Sequence, residues 1–263
     1  MTSSHWDLIP DVVNNNAVMY HRQVGGANIF PCTANIRPCS GRLANGSSPR
    51  SKMTEIEKAT RNRDRTRAQL LAAARDEFAQ QGYGGARIEN IAQRASTNKR
   101  MIYYYFNNKE ALFVAVMEET YQSLRDAEDQ LKLLDLQPVE AIRALILFTW
   151  NYYVEHPEFL QLLTAENHYR AEHLQSSPTI SRMRSPLVET LREVLARGQR
   201  ANIFRGGVDP LQLYISIAGL GYFYLSNNYT LSMSFGRDLN TRRAYMERQQ
   251  HIADVVLGYL LAS

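Results

Sequence analysis

Residues 87–106 read Arg-Ile-Glu-Asn-Ile-Ala-Gln-Arg-Ala-Ser-Thr-Asn-Lys-Arg-Met-Ile-Tyr-Tyr-Tyr-Phe. The spacing predicts two short helices joined by a tight turn. In the first, Ile88, Ile91, Ala92 and Ala95 share one face, and the small alanines let a second helix approach closely. Ser96 and Thr97 break the pattern, and Asn98 is the expected N-cap of the second helix. Lys99, Arg100, Tyr103 and Tyr104 then share its outer side while Ile102 and Phe106 turn inward. A helix that opens on basic side chains and carries phenols suits the major groove of DNA: Lys and Arg donate to guanine edges, and hydroxyls reach phosphates. After Asn107 and Asn108, Lys109 opens the next helix, where its ammonium and the unsatisfied N–H groups of that terminus can hold a phosphate together.

Charge supports this reading. The 263 residues carry 30 Lys and Arg against 26 Asp and Glu, a net charge of only +4. Residues 58–109, however, hold eleven basic side chains against Asp64, Asp76, Glu77 and Glu89, whereas residues 110–263 hold fourteen basic against eighteen acidic. A basic module of about fifty residues thus precedes a mildly acidic remainder, as expected of a small unit facing a polyanion beside a larger one with another task. Lys58, Arg61, Arg63, Arg65 and Arg67 form a basic lead-in, expected as an arm ahead of the first helix that reaches phosphates or the minor groove.

Beyond the motif the chain reads as all α from Asp64 onward. Leu70, Leu71, Ala74 and Phe78 make a one-sided stripe that Gly82 ends. Longer helices are expected at about 109–133, from Pro138 to His156, and at about 158–174, 178–203, 209–235 and 240–262. Pro210 to Gly236 contains no charged residue, but Gln212, Ser216, Ser226, Asn227 and Asn228 interrupt it, and its longest apolar run falls far short of the roughly 20 residues a bilayer requires. It is expected to pack on its own core with one face and on a second subunit with the other, and Ile252, Val255, Val256, Tyr259 and Leu260 offer a second stripe to the same junction.

Residues 1–57 are read as a disordered tail and lead-in, rich in Asn, Gly, Ser and Pro up to Ser51. Met53 opens the regular sequence, so translation starting there is a second reading of the same stretch. No basic segment followed by an apolar run marks a signal peptide, and Cys32 and Cys39 make no disulfide framework and no structural zinc site. A cytoplasmic protein is expected.

Residues 64–124 resemble the DNA-binding domain of the tetracycline-repressor (TetR) family of bacterial transcription regulators. The resemblance rests on Ala73, Ala74, Phe78, Gly82 and Tyr83, then Ile91, Ala92 and Ala95, then Asn98, Lys99 and Ile102 through Phe106, and finally Lys109 through Leu112. It implies an all-α chain with an N-terminal three-helix helix-turn-helix domain at 58–112 and a larger effector-binding and dimerisation domain at 113–263. It also implies a homodimer, joined through the last two helices, that binds a palindromic double-stranded operator and releases it when a small-molecule effector binds. The DNA-facing positions it implies are Arg87, Thr97, Asn98, Lys99, Arg100, Tyr103, Tyr104 and Lys109. Two positions depart from the family pattern: Ser96 stands where the turn most often has Gly, and Ala86 where a Thr commonly caps the first helix of the motif.

For the effector, an apolar pocket with a few orienting polar groups would draw on the aromatic and polar residues of the helical remainder. Arg143, Trp150, Tyr153, His156, Glu166, Asn167, Arg170 and Tyr222 are the candidates, Arg143 and Arg170 for a carboxylate. The stretch from Ala165 to Leu174 looks like the branch that includes the pyrimidine-utilisation and nicotinate-degradation repressors, which implies a small nitrogen heterocycle or aromatic acid. His156, Glu166, His168 and His173 lie close together, but the two later histidines are five apart and do not share a helical face, so no metal and no cofactor is expected. An enzyme using a His and a Glu as base and acid is the rival reading, without a phosphate loop or nucleophile elbow to support it. A non-specific architectural DNA-binding protein is the other.

Overall fold

The computed structural model describes residues 49–175, 177–182 and 186–262. The expectations for residues 1–48, Cys32 and Cys39 among them, lie outside the described residues. α1 (Pro49–Gly85) is followed by α2 (Ile88–Arg94), α3 (Lys99–Phe106) and α4 (Lys109–Asp129). A single 3-10 turn, Leu133–Asp135, leads to α5 (Pro138–Glu155), α6 (Pro157–His168), α7 (Glu172–Gln175) and α8 (Pro178–Arg182). α9 (Leu187–Arg200), α10 (Pro210–Phe235) and α11 (Arg242–Leu260) complete the order. Among the described residues the only β pairing is one isolated bridge, Phe204 with Leu261, so the all-α expectation holds.

Several boundaries differ from those the pattern predicts. The first helix begins at Pro49, so the basic segment is its N-terminal half and not an arm ahead of it. Gly82, at φ 65°, breaks the regular helix where the apolar stripe ends, a conformation that glycine adopts without steric cost. The helix expected to reach 133 stops at Asp129, and Lys132 turns left-handed before the 3-10 turn. The helix expected at 158–174 ends at His168, because Arg170 and Ala171 are left-handed and the buried Glu166 carboxylate accepts the Leu174 N–H. The helix expected at 178–203 is two pieces, α8 and α9, with Pro186 capping the second.

The apolar stripes meet in three clusters. In the N-terminal head, Leu70, Ala74 and Phe78 of α1 pack with Ile91 of α2, Ile102 and Phe106 of α3, and Leu112, Phe113 and Val116 of α4. Leu162 of α6 joins this core, and α6 lies along α1, so the head is seated on the helical remainder. Ile142, Leu145, Leu191, Val194, Ile217, Val256 and Leu260 unite α5, α9, α10 and α11 in the second cluster. Burying each such side chain contributes roughly 1.5–3 kcal/mol. Leu124, Tyr152, Tyr153, Phe159 and Leu160 form the third, between α4, α5 and α6. Gly198 permits the close approach of the chain after α9: a Cβ there would fall against the Phe204 ring, whose backbone N–H donates to the Gly198 carbonyl.

Candidate nucleic-acid interface

Each helix start of the motif has a local cause. Asn98 caps α3 by accepting the Met101 N–H, and Asn108 caps α4 by accepting the Ala111 N–H at 2.7 Å. Ser96 takes φ 50°, so this turn keeps the left-handed backbone although the residue is not glycine. The N-cap of α2 is Arg87, not Ala86, and its own side chain makes no capping bond; Glu77 of α1 serves there instead. Its Oε1 accepts the Arg87 N–H at 3.2 Å and an Asn90 Nδ2–H at 2.8 Å, while Oε2 lies 3.3 Å from Arg94 Nε. The carboxylate is 1% exposed and anchors both ends of α2 to α1. No sequence spacing announced it, since its partners lie 10 and 13 or more residues away. The available signal was one acidic residue, Glu77, inside an apolar stripe.

α3 divides as its pattern predicts. Ile102 and Phe106 are buried, and Lys99, Arg100, Tyr103 and Tyr104 project outward, Tyr104 63% exposed. Arg87 and Asn98 are exposed, Thr97 and Lys109 half-buried. Lys99 Nζ sits 3.6 Å from Glu89 Oε1, both exposed. Such a surface pair contributes little, so a base edge can displace it. The basic half of α1 is tied to the same surface. Arg63 Nη2 donates to the Tyr104 hydroxyl at 3.3 Å, the Tyr105 hydroxyl donates to the Arg63 carbonyl at 3.3 Å, and Arg67 lies 5.4 Å from the Phe106 ring centroid. Lys58, Arg61 and Arg65 are exposed on the other side by helical spacing. Lys109 Nζ lies 4.8 Å from the Tyr83 ring centroid, and burial pulls its pKa down.

The effector candidates scatter. Trp150 is buried in the second cluster against Tyr224 and Tyr245. His156 joins α5 to α6, with Nδ1 3.2 Å from Glu158 Oε1. Glu166 is 1% exposed and bonds within its own connection. Asn167 and Arg170 are exposed, Arg143 is half-buried, and the Tyr222 hydroxyl lies 2.7 Å from Thr164 Oγ1. Only Tyr153 belongs to a convergent polar group. That group comprises Tyr121, Arg125 and Glu128 of α4, Tyr152 and Tyr153 of α5 and Tyr214 of α10. Arg125 is ion-paired with the buried Glu128 and lies beside the Tyr214 hydroxyl. Burial works against the Arg125 charge, but Glu128 and Tyr214 more than offset it; burial pushes the Tyr121, Tyr152, Tyr153 and Tyr214 hydroxyls up. Arg125 Nε is buried without a partner. The signal for this group was the i, i+4, i+7 spacing of Tyr121, Arg125 and Glu128 beside the apolar stripe of α4. A pocket of about 220 Å³ opens at its Glu128 end, lined also by Lys132, Leu133, Leu187 and Thr190.

On α10, Leu213, Ile217, Tyr224 and Asn228 face the core, while Leu211, Ile215, Phe223, Tyr229 and Met233 stay exposed, Met233 at 87%. The stripe expected on α11 splits: Ile252, Val256 and Leu260 recur at steps of four on the buried side with Ala253 and Leu257 beside them, whereas Val255 and Tyr259, one residue before Val256 and Leu260, fall off that side and are exposed. Among the described residues no helix is long and apolar enough to cross a membrane.

Comparison with known proteins agrees with this geometry. Residues 70–116 match the family described as bacterial regulatory proteins, tetR family, and residues 138–256 match the tetracyclin repressor-like C-terminal domain. The chain is 40% identical over 194 residues to the HTH-type transcriptional repressor NicS of Pseudomonas putida, spanning 74% of this chain and 92% of that protein. Among solved structures, a transcriptional regulator of Streptomyces coelicolor matches with a TM-score of 0.57 at 23% identity, over 74% of this chain and 98% of that one. AibR, solved in complex with isovaleryl coenzyme A and operator DNA, matches with a TM-score of 0.54 at 22% identity, over 75% of this chain and 98% of that one. At these identities the two structures speak to the fold alone.

Proposed function

The chain belongs to the TetR family of DNA-binding transcription regulators, and from that premise we propose that it is a ligand-responsive repressor that binds a palindromic operator as a homodimer. The enzyme reading falls with that membership. The observation that carries the proposal is α3 itself: a capped helix held from below by Ile102 and Phe106, with Lys99, Arg100, Tyr103 and Tyr104 turned outward. In this reading residues 58–112 form the DNA-binding head and 113–263 the effector and dimer domain. Lys99 and Arg100 read base edges. Arg87, Thr97, Asn98, Tyr103, Tyr104 and Lys109 hold sugar and phosphate and fix the register.

The second subunit covers the exposed stripe of α10, from Leu211 through Phe223 to Met233, together with Val255 and Tyr259 of α11. A contiguous apolar stripe of this kind on a water-facing helix is the mark of a partner surface. The effector, a small aromatic or heterocyclic molecule, binds among Arg125, Glu128, Tyr121, Tyr152, Tyr153 and Tyr214. Arg125 supplies a directed cation, and the phenols supply faces and hydrogen-bonding edges for a planar ligand. Binding releases DNA by shifting the two recognition helices from the one-turn separation, about 34–36 Å, that adjacent half-sites require.

Selection of duplexes from a random pool by the purified chain tests the proposal. Enrichment of one inverted repeat is expected; recovery of duplexes with no common sequence would favour the architectural reading instead.

A further inference from the structure

We propose that Glu166 and His173 form a clamp by which the helical domain positions Lys109 on DNA, acting through the ring of Tyr83. The inference rests on the assignment of Lys109 as a phosphate contact. Glu166 lies near the end of α6 and is 1% exposed; His173, in α7, is 7% exposed. His173 Nδ1 lies 2.8 Å from Glu166 Oε2, a hydrogen bond that the tautomer with its proton on Nδ1 donates to the carboxylate. Oε1 of the same carboxylate accepts the Leu174 N–H at 3.1 Å. This side chain adds to the backbone bonds of the connection from α6 to α7, Ala171 N–H to the Glu166 carbonyl and Glu172 N–H to the Tyr169 carbonyl among them. That connection is strained, with Arg170 at φ 57° and Ala171 at φ 61°, two consecutive left-handed residues that lack glycine's freedom.

What the clamp holds in place is an aromatic seat in the head. The His173 ring lies 4.2 Å from that of Tyr83, at the end of α1, and 5.2 Å from that of Phe113 in α4. Tyr83 and Phe113 are themselves 5.2 Å apart. The Tyr83 ring is also the one beneath Lys109 Nζ, at 4.8 Å. A cation over a ring face is held in direction as well as distance, so the tilt of Tyr83 sets where the ammonium points. At its other end α6 enters the tyrosine group through Phe159, whose ring stacks on Tyr153 at 5.9 Å, and Thr164 is bonded to Tyr222 of α10. A change in that group that moves α6 draws Glu166 with it, opens the strained connection and unseats Lys109. Glu166 and His173 are thus positioning residues for a DNA contact that neither touches.

The test compares operator affinity at several salt concentrations for the wild-type chain, Glu166→Ala, Lys109→Ala and the double variant, on the duplex the wild-type chain enriches. Loss of one phosphate contact lowers the slope of log K against log salt by about 0.9. Glu166→Ala is expected to lower it by that amount, as Lys109→Ala does, and the double variant to match Lys109→Ala alone. A general loss of stability would weaken binding without changing the slope. Glu166→Gln, which can keep both bonds with His173 in its other tautomer, is expected to retain the wild-type slope. A wild-type slope in Glu166→Ala, or a further fall in the double variant, overturns the clamp. Should Glu166→Ala fail to fold, the Tyr83 variants decide: Tyr83→Leu with the slope of Lys109→Ala and Tyr83→Phe with that of wild type support the seat, and a wild-type slope in both overturns it. If the wild-type chain shows no salt-dependent DNA binding at all, the DNA reading fails and this inference with it.

Discussion

Glu77 is the residue on which the helix-turn-helix geometry turns, although it faces away from any ligand. Its carboxylate holds the Arg87 N–H, the Asn90 amide and the Arg94 guanidinium at once, from a position with 1% exposure. Replacing it with Ala leaves three donors without their acceptor and a cavity beneath α2. We expect Glu77→Ala to lower the unfolding free energy by about 2 kcal/mol, the scale of an unsatisfied buried polar group, as measured from the denaturant midpoint. A midpoint equal to wild type would show that water satisfies the three donors. Local caps were legible in the sequence because Asn98 and Asn108 each bond an N–H only three residues away. Glu77 was not, because its acceptor role depends on how α1 and α2 cross.

The same contrast holds between elements. The inward and outward faces of α3 follow from spacing alone, so Ile102 and Phe106 fall in the core as expected. The ends of α4 and α6 do not, because Lys132, Arg170 and Ala171 adopt left-handed conformations that their residue types do not favour. The tyrosine group proposed for the effector was legible only in its α4 members, for a related reason: it assembles from α4, α5 and α10, and the helical periodicity of each says nothing about where the three converge. α1 differs from expectation most usefully. As a helix from Pro49, it carries Lys58, Arg61 and Arg65 on a continuous basic side fixed to α3 by Arg63 and Arg67. Changing Lys58, Arg61 and Arg65 together to Gln is expected to lower the salt slope of operator binding by about 0.9 for each phosphate lost, with the enriched sequence unchanged. An unchanged slope would mean that this side of α1 is merely solvated.

At the scale of the whole molecule, the proposed homodimer requires two heads at a fixed separation. The exposed stripe of α10 supplies the surface, and its apolar centre is where a charge should do most harm. We expect Phe223→Glu together with Met233→Glu to yield monomers by sedimentation, with a wild-type helical signal by circular dichroism, and to abolish binding to the full inverted repeat. A variant that remained dimeric would move the interface elsewhere. Sequence reading by the proposed recognition helix α3 is checked by Lys99→Ala combined with Arg100→Ala, titrated against the enriched duplex and a scrambled one at the same salt. The wild-type chain should separate the two duplexes by at least about a thousandfold, while the double variant should bind both with similar, weaker affinity. A double variant that still discriminated as the wild type does would place sequence reading outside α3 and contradict the account.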